Sequence, residues 1–323
     1  VKTALVCGAG GFFGNHLVKR LKQENYFVIG VDLKYPEFCK TQADYFLRGD
    51  LRKQAIMDYI FIKKIDEVYQ LAADLGGAGY IFTGKHDANI MSNSALININ
   101  TAKKMAQTEV KKLFFPSSTC VYPANNITVP NKYGEENVYP AQPDNEYGWE
   151  KLFSERLYLA YKRNYGLDVR IMRIHGIFGT ECAWNNGKEY APAAMCRRVS
   201  QAKDGDLIDI WGDGKQTRSY LYIDECINGV RLLMSDDQSF EPLNMGAEEI
   251  VSINQLAEII IEISGKKLKL NHVEGPLGVR GTNSDNRLLY KRLNWKPNYS
   301  LRKGLEQTYS WINNQVHDND KGK

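Results

Sequence analysis

The segment Gly8-Ala9-Gly10-Gly11-Phe12-Phe13-Gly14 stands between an apolar run, Thr3 to Cys7, and a helical pattern, Phe12 to Gln23. A strand that turns into a helix through glycines at this spacing has few alternatives. Gly8, Gly11 and Gly14 allow a tight turn, close backbone approach to a pyrophosphate and close helix–strand packing, while the helix N-terminus favours the phosphate charge. Phe12 and Phe13 fall inside the same turn. The next β-rich run, Tyr26 to Val31, ends at Asp32, whose carboxylate suits both ribose hydroxyls and repels a 2′-phosphate. The expected cofactor is therefore NAD rather than NADP.

The first half alternates strand and helix patterns: Leu51 to Lys64 as helix, Glu67 to Leu71 as strand, and helices over Asp87–Thr108 and Glu146–Tyr165, each leading into a strand, Lys112–Phe115 and Val169–Arg173. Such alternation predicts an α/β fold with a doubly wound (Rossmann) parallel sheet of six or seven strands. Asp50 follows the expected third strand and has two readings, a partner for the adenine amine or a helix N-cap. Gln70-Leu71-Ala72-Ala73 ends the fourth strand, and Leu71 and Ala72 there either admit a cofactor or simply pack closely.

From about residue 176 the regular period is lost until a helix over Ala193–Ala202. A strand over Leu207–Trp211 follows, then helices over Asp224–Met234, Ile253–Ser264 and Leu301–Asn314, with a frayed tail from Asp318. The expected organisation is an NAD-binding domain over 1–175 and a smaller mixed α/β substrate lobe over 176–323, with the chain crossing between them near 222–250. The length of 323 residues accommodates both.

Composition narrows the function classes. With 42 basic and 38 acidic side chains the net charge is only +4, and the lysine pairs are scattered, so no nucleic acid partner is expected. No apolar run reaches the about 20 residues of a membrane span, and the apolar start reads as a strand, not a signal peptide. The six cysteines form no C-x-x-C pair and no ligand rhythm with the five histidines, which predicts no metal site and fits a reducing cytoplasm.

Tyr147 and Lys151 lie four apart in a helical stretch and so share a face. An ammonium beside a phenol favours the phenolate and brings a pKa near ~10 toward neutrality, which makes Tyr147 a proton acceptor. Ser117 and Ser118, past the strand Lys112–Phe115, supply hydroxyls for a substrate oxygen.

Gly8 to Gly14, Ser117-Ser118 and Tyr147 with Lys151 together resemble the extended short-chain dehydrogenase/reductase family. Trp211-Gly212-Asp213-Gly214-Lys215-Gln216-Thr217-Arg218 with Tyr222-Ile223-Asp224 is similar to the substrate-lobe signature of its nucleotide-sugar members. Within that family, Asp74-Leu75-Gly76-Gly77-Ala78-Gly79, Ser118-Thr119-Cys120-Val121-Tyr122-Pro123, Ala191-Pro192-Ala193-Ala194 and the segment from Gly278 through Arg280 to Asn286 resemble the GDP-mannose 3,5-epimerase group.

That resemblance implies a GDP-linked sugar substrate and transient oxidation at C4. Tyr147 takes the 4-hydroxyl proton, and the resulting ketone acidifies the hydrogens on C3 and C5 for proton transfer before re-reduction. It implies Cys120 as one proton-transfer group, provided its thiol pKa of ~8.5 is lowered. The second group of the family is a lysine, and the matching position here is Tyr190, with Glu189 before it and Lys188 nearby. Gly176 stands where the family has a sugar-binding asparagine. Arg218 and Arg280, helped by Gln216 and Arg198, match positions that grip the diphosphate. Gly76 and Gly77 either let backbone approach the sugar or are plain turn glycines. Related enzymes dimerise through two long helices, so a homodimer is implied.

The departures at Tyr190 and Gly176 keep open a nucleotide-sugar 4-dehydrogenase or single-centre epimerase. A non-catalytic NAD-binding regulator is the alternative of another class. A 4,6-dehydratase lacks its acidic pair here, since Cys120 and Val121 follow Thr119.

Overall fold

A computed structural model describes residues 1–123, 132–238, 241–275, 281 and 283–321. The first half runs β1 (Thr3–Cys7), α1 (Phe12–Gln23), β2 (Phe27–Asp32), β3 (Tyr45–Arg48), α2 (Gln54–Ile60), β4 (Glu67–Gln70), α3 (Ala78–Ile81), α4 (Asp87–Ala106) and β5 (Lys112–Ser118). Next come β6 (Lys132–Tyr133), α5 (Glu146–Tyr165), β7 (Asp168–Ile174), β8 (Ile177–Phe178) and α6 (Ala191–Gln201). The remainder is β9 (Leu207–Trp211), β10 (Thr217–Ser219), β11 (Leu221–Tyr222), α7 (Ile223–Ser235), β12 (Leu243–Met245), β13 (Ile250–Ser252), α8 (Ile253–Ser264), β14 (Lys269–Val273), β15 (Asn283–Ser284), α9 (Arg287–Leu293) and α10 (Leu301–Lys321).

Seven strands form one sheet in the order β12-β7-β5-β4-β1-β2-β3, and every neighbouring pair is parallel. This is the doubly wound α/β arrangement that the alternation predicted. Its strands read as continuous apolar runs because both faces are covered. Leu5, Val31, Val68, Leu113, Phe115 and Ile171 pack on one face, and Ala4, Val6, Val28, Tyr69, Phe114 and Met172 on the other. Side chains that alternate along each strand thus fill two separate cores.

Four elements differ from expectation. The helix expected over Leu51–Lys64 shrinks to Gln54–Ile60, because the backbone N–H groups of Arg52 and Lys53 bond back to Asp50 in a turn. β5 continues through Ser118, so both serines sit in the strand's last residues rather than beyond it. The terminal helix does not fray at Asp318 but runs on to Lys321. The seventh strand, β12, comes from the second half of the chain: Leu243, Asn244 and Met245 pair with Met172, Arg173 and Ile174. Three residues carry too short a pattern to reveal a strand.

α7 packs back on the nucleotide half through Arg231, which reaches Glu67 at 3.1 Å and Glu24 at 2.8 Å in a buried cluster with Tyr26 and Tyr69. Among the described residues, no helix is long and apolar enough to cross a membrane, and no group of His, Cys, Asp or Glu could hold a metal ion.

Candidate active site

A cleft of about 700 Å³ follows the carboxyl ends of the strands, where ligands bind in open α/β sheets. One end is walled by Gly8, Gly11, Gly14, Asp32 and Asp50, the other by Ser118, Cys120, Tyr147, Tyr190 and Arg218.

The first end fits a dinucleotide. Gly8 has φ +85, and a Cβ there would lie 2.9 Å from the Ala72 amide nitrogen; a Cβ on Gly14 would run into the Gly8 carbonyl oxygen. Only glycine permits strand, turn and helix to approach this closely. Gly11 is the N-cap of α1, with no side-chain cap and no acidic residue in the first turn, so the helix N-terminus is kept for an anion. Asp32 is fixed by N–H donors from Gly10 at 2.9 Å and Lys34 at 3.2 Å, while burial outweighs them and pushes its carboxyl up from the usual value.

Leu71 and Ala72 line the cleft, as do Phe12 and Phe13, whose rings also pack edge-on against His16 and Phe114. The N-cap reading of Asp50 is excluded, because the N-cap of α2 is Lys53, with no side-chain cap. Asp50 instead makes a two-pronged pair with Arg52, at 2.9 and 2.8 Å, on the cleft wall. Two orphaned polar groups line the same cleft: Ser117 Oγ and both ring nitrogens of buried His175 lack partners. Loss of solvent holds the His175 imidazole down to about 3, so it is neutral.

The chemistry-bearing side chains meet around the N-terminus of α5. Asn145 caps that helix by accepting the Gly148 N–H at 2.8 Å, which places Tyr147 in the first turn and Lys151 in the next. Lys151 Nζ donates to the Pro116 carbonyl at 3.0 Å and lies 5.7 Å from the centre of the Tyr147 ring. The expected lowering of the phenol's pKa does not prevail in the protein alone. Burial drives Tyr147 well above 10, with Tyr190 and Cys120 adding to the rise and a hydrogen bond from Ser118 opposing it. Burial also lowers Lys151, against the pull of Glu150 and Glu155.

Cys120 sits in the short helical turn after β5, its N–H bonded to Ser118 Oγ at 3.2 Å. The expected lowering of its thiol is reversed: burial pushes it up, although hydrogen bonds from Ser118 and Asn145 and the charge of Arg218 oppose the rise. The turn is anchored from below by Tyr122 of the same segment, 118–123, and by Asn244, Arg173 and Glu155, which no motif singled out. Tyr122 donates to Asn244 at 2.6 Å, and Arg173 bonds Tyr122 at 3.2 Å while pairing with Glu155 at 2.9 and 2.8 Å. Glu155 is one turn beyond Lys151 on α5, a spacing of four that marks it in hindsight.

The remaining expected site residues divide. Tyr190 lines the cleft, where desolvation, with Cys120 as neighbour, holds its phenol above the ordinary value. Gly176 lines it too, with the nearest atom to a Cβ there 3.4 Å away on the Tyr220 ring, so the position has room for a side chain. Arg218 lines it while donating to the Thr217 carbonyl at 2.8 Å.

Five others are not brought to its walls. Gly77 donates its N–H to the Lys188 carbonyl at 3.0 Å, and a Cβ there would collide with the Glu189 carbonyl, so it serves backbone contact between two segments. Gly76 lies under Tyr80 and Lys188, and Glu189 is turned toward Arg197 at 3.8 Å. Gln216 is buried with its amide nitrogen on the Trp211 carbonyl. Arg198 likewise lies outside, bonded to the Asp209 carbonyl at 2.8 Å. Arg280 lies outside the described residues.

The comparisons agree with this layout. Residues 4–246 match the NAD dependent epimerase/dehydratase family. GDP-mannose 3,5-epimerase from Arabidopsis thaliana is 40% identical over 329 residues, covering 98% of this chain and 84% of that protein. UDP-glucuronic acid decarboxylase 1 from Danio rerio is 24% identical, covering 98% and 73%. Among solved structures, UDP-glucose 4-epimerase from Thermotoga maritima superposes with a TM-score of 0.88 at 25% identity, covering 97% of this chain and 99% of that one. UDP-glucuronic acid 4-epimerase from Bacillus cereus, solved with UDP-glucuronic acid and NAD, gives 0.82 at 26% identity with the same coverage. Glycine turn, Asp32, Ser118 and the Tyr147–Lys151 pair thus occur in a sequence matched along almost its whole length, and the chain belongs to the NAD dependent epimerase/dehydratase family.

Proposed function

We propose that this protein is a GDP-mannose 3,5-epimerase, working by reversible oxidation at C4 and proton transfer at C3 and C5. The observation that carries the reading is a thiol, Cys120, placed beside Tyr147 in the cleft of a chain 40% identical to GDP-mannose 3,5-epimerase.

NAD would supply a two-electron acceptor at C4, and Gly8, Gly11 and Gly14 would hold its pyrophosphate and Asp32 its ribose. Ser118 orients the 4-oxygen and Tyr147 takes its proton. Desolvation keeps the isolated phenol neutral, so the positive charge that NAD would bring, beside the Lys151 ammonium, would be needed to favour the phenolate. Once C4 is a ketone, the adjacent C–H bonds are acidic and Cys120 removes a proton. Arg218 faces the diphosphate. Tyr147 finally returns its proton to the 4-oxygen.

The test is incubation with GDP-mannose in deuterated water. Deuterium at both C3 and C5 of the recovered sugar is the expected result. A 4-keto sugar, or exchange at one centre, selects the 4-dehydrogenase or single-centre reading, which the phenol at Tyr190 favours. Activity undiminished in Tyr147→Phe removes the redox reading, and no turnover of any nucleotide sugar by an NAD-loaded wild type selects the regulator.

The protein also pairs with a second copy through α4 and α5 in this proposal. Leu96, Trp149 and Phe153 are 42%, 40% and 44% exposed on those helices, apolar surface that a four-helix contact covers. Sedimentation of Phe153→Glu checks it: a wild-type dimer and a monomeric variant are expected.

A further inference from the structure

Inverting a carbon beside a ketone needs a base on one face of the sugar and an acid on the other. Cys120 is one such group. Tyr190 lines the same cleft, but desolvation with Cys120 as neighbour raises its phenol above the ordinary value, which makes it a reluctant proton donor.

Lys188, two residues earlier, also lines the cleft. Its Nζ is 3.4 Å from Asp74 Oδ1 and 4.0 Å above the Tyr80 ring, which itself stacks on His86 at 4.0 Å. Asp74 is held from three further directions: Tyr80 donates to Oδ1 at 2.9 Å, Asn93 to Oδ2 at 2.9 Å, and the Asp74 N–H bonds Ser94 Oγ at 3.0 Å. Burial works against its charge, yet these donors and the Lys188 ammonium keep the carboxyl below its usual value. Asn93 also accepts from Arg52 at 2.5 Å, tying the cluster to Asp50 at the cofactor end. The backbone is fixed as well, by the Gly77 N–H on the Lys188 carbonyl and the close contact of Gly77 with Glu189. With 43% of its side chain exposed and a long 3.4 Å contact, the ammonium is oriented but free to advance into the cleft.

We propose that Lys188, oriented by Asp74 and Tyr80, is the second proton-transfer group, replacing the function expected at Tyr190. The inference rests on the reading of this cleft as a site of C3/C5 proton transfer. In the step, the Cys120 thiol first gives its proton to solvent, the thiolate being favoured against burial by Ser118, Asn145 and the Arg218 charge; the thiolate then bonds the proton of the C–H and the C–H electron pair passes into the enolate of the C4 ketone. The pair then returns to carbon as a Lys188 N–H breaks and its proton bonds the opposite face. Thiol and amine regain thiolate and ammonium by exchange with solvent, so the charge balances. Asp74 is a positioning residue, since it touches the lysine.

The experiment compares Lys188→Gln, Lys188→Arg and Tyr190→Phe as NAD-loaded enzymes with GDP-mannose in deuterated water, reading inverted product and the reduced cofactor. Lys188→Gln is expected to lower formation of inverted product about 100-fold, in the range of one lost general acid, while reduced cofactor still forms. Lys188→Arg keeps the charge but is a far weaker acid, so KM is retained and kcat stays low. Tyr190→Phe is expected to lose less inverted product than Lys188→Gln, and a loss in Tyr190→Phe as large as that in Lys188→Gln overturns the proposal. Inverted product from Lys188→Gln within about threefold of wild type overturns the proposal, as does restoration of kcat by Lys188→Arg. A wild type that exchanges no deuterium at C3 or C5 overturns the underlying function instead, a result the variants cannot imitate.

Discussion

The two ends of the cleft are built in different ways. The cofactor end is made of backbone: Gly8, Gly11 and Gly14 at the junction of β1 and α1, and Asp32 at the end of β2, all fixed by the register of the sheet. The sugar end is made of short connecting segments that carry Cys120 after β5, Gly176 after β7, and Lys188 and Tyr190 before α6; a hydrogen bond to Ser118 holds the Cys120 turn and an ion pair to Asp74 holds Lys188. Backbone sites tolerate little change because a clash there moves whole elements. Side-chain sites can exchange one acid for another while the frame stays put.

The sharpest break of that contrast comes from the residues where the two ends meet. Tyr147→Phe removes the proton acceptor and is expected to cut turnover by about three orders of magnitude with NAD affinity unchanged, as measured by steady-state rates beside cofactor titration. At the cofactor end, Gly14→Val drives a side chain into the Gly8 carbonyl; overpacking of this kind costs roughly 1–3 kcal/mol, and NAD binding by calorimetry should weaken at least about tenfold in proportion. Retained NAD affinity would mean that the turn is more plastic than the sheet around it.

A third test asks how much the buried polar groups between the ends cost. The unfolded His175 imidazole binds a proton below 6.5, whereas the folded one resists until about 3. Across that window the unfolded state holds more protons, so stability falls as pH falls through it, by up to about 1.4 kcal/mol per pH unit. Denaturant melts of His175→Leu should show a shallower acid decline than wild type; an unchanged slope would assign acid lability to carboxylates instead. The smallest effect is at the sugar end. Gly176→Asn adds a side chain where 3.4 Å separates the Cβ from Tyr220, so stability should stay within about 0.5 kcal/mol while KM for the nucleotide sugar shifts and kcat does not.

Much of the cofactor end was legible because its determinants are local. Glycines at fixed spacing after an apolar run, an acid at the end of the next strand, and a tyrosine and lysine one helical turn apart are all contiguous patterns. Gly77 shows the limit: its sequence context suggested approach to the sugar, but the atom it accommodates is the Glu189 carbonyl, more than a hundred positions away in the chain. Gln216 and Arg198 matched a motif and yet face elsewhere, since a string of residues does not state which way its side chains turn.

The sequence by itself determined the parallel sheet, the dinucleotide turn and the Tyr147–Lys151 face, for these follow from periods of two and 3.6 residues and from the steric freedom of glycine. Tertiary structure alone decided the rest: that β12 closes the sheet beside β7, that burial raises rather than lowers the Tyr147 and Cys120 acids, and that Asp74 meets Lys188. Desolvation and long-range pairing depend on what surrounds a group in space. That surrounding exists only once the chain has folded.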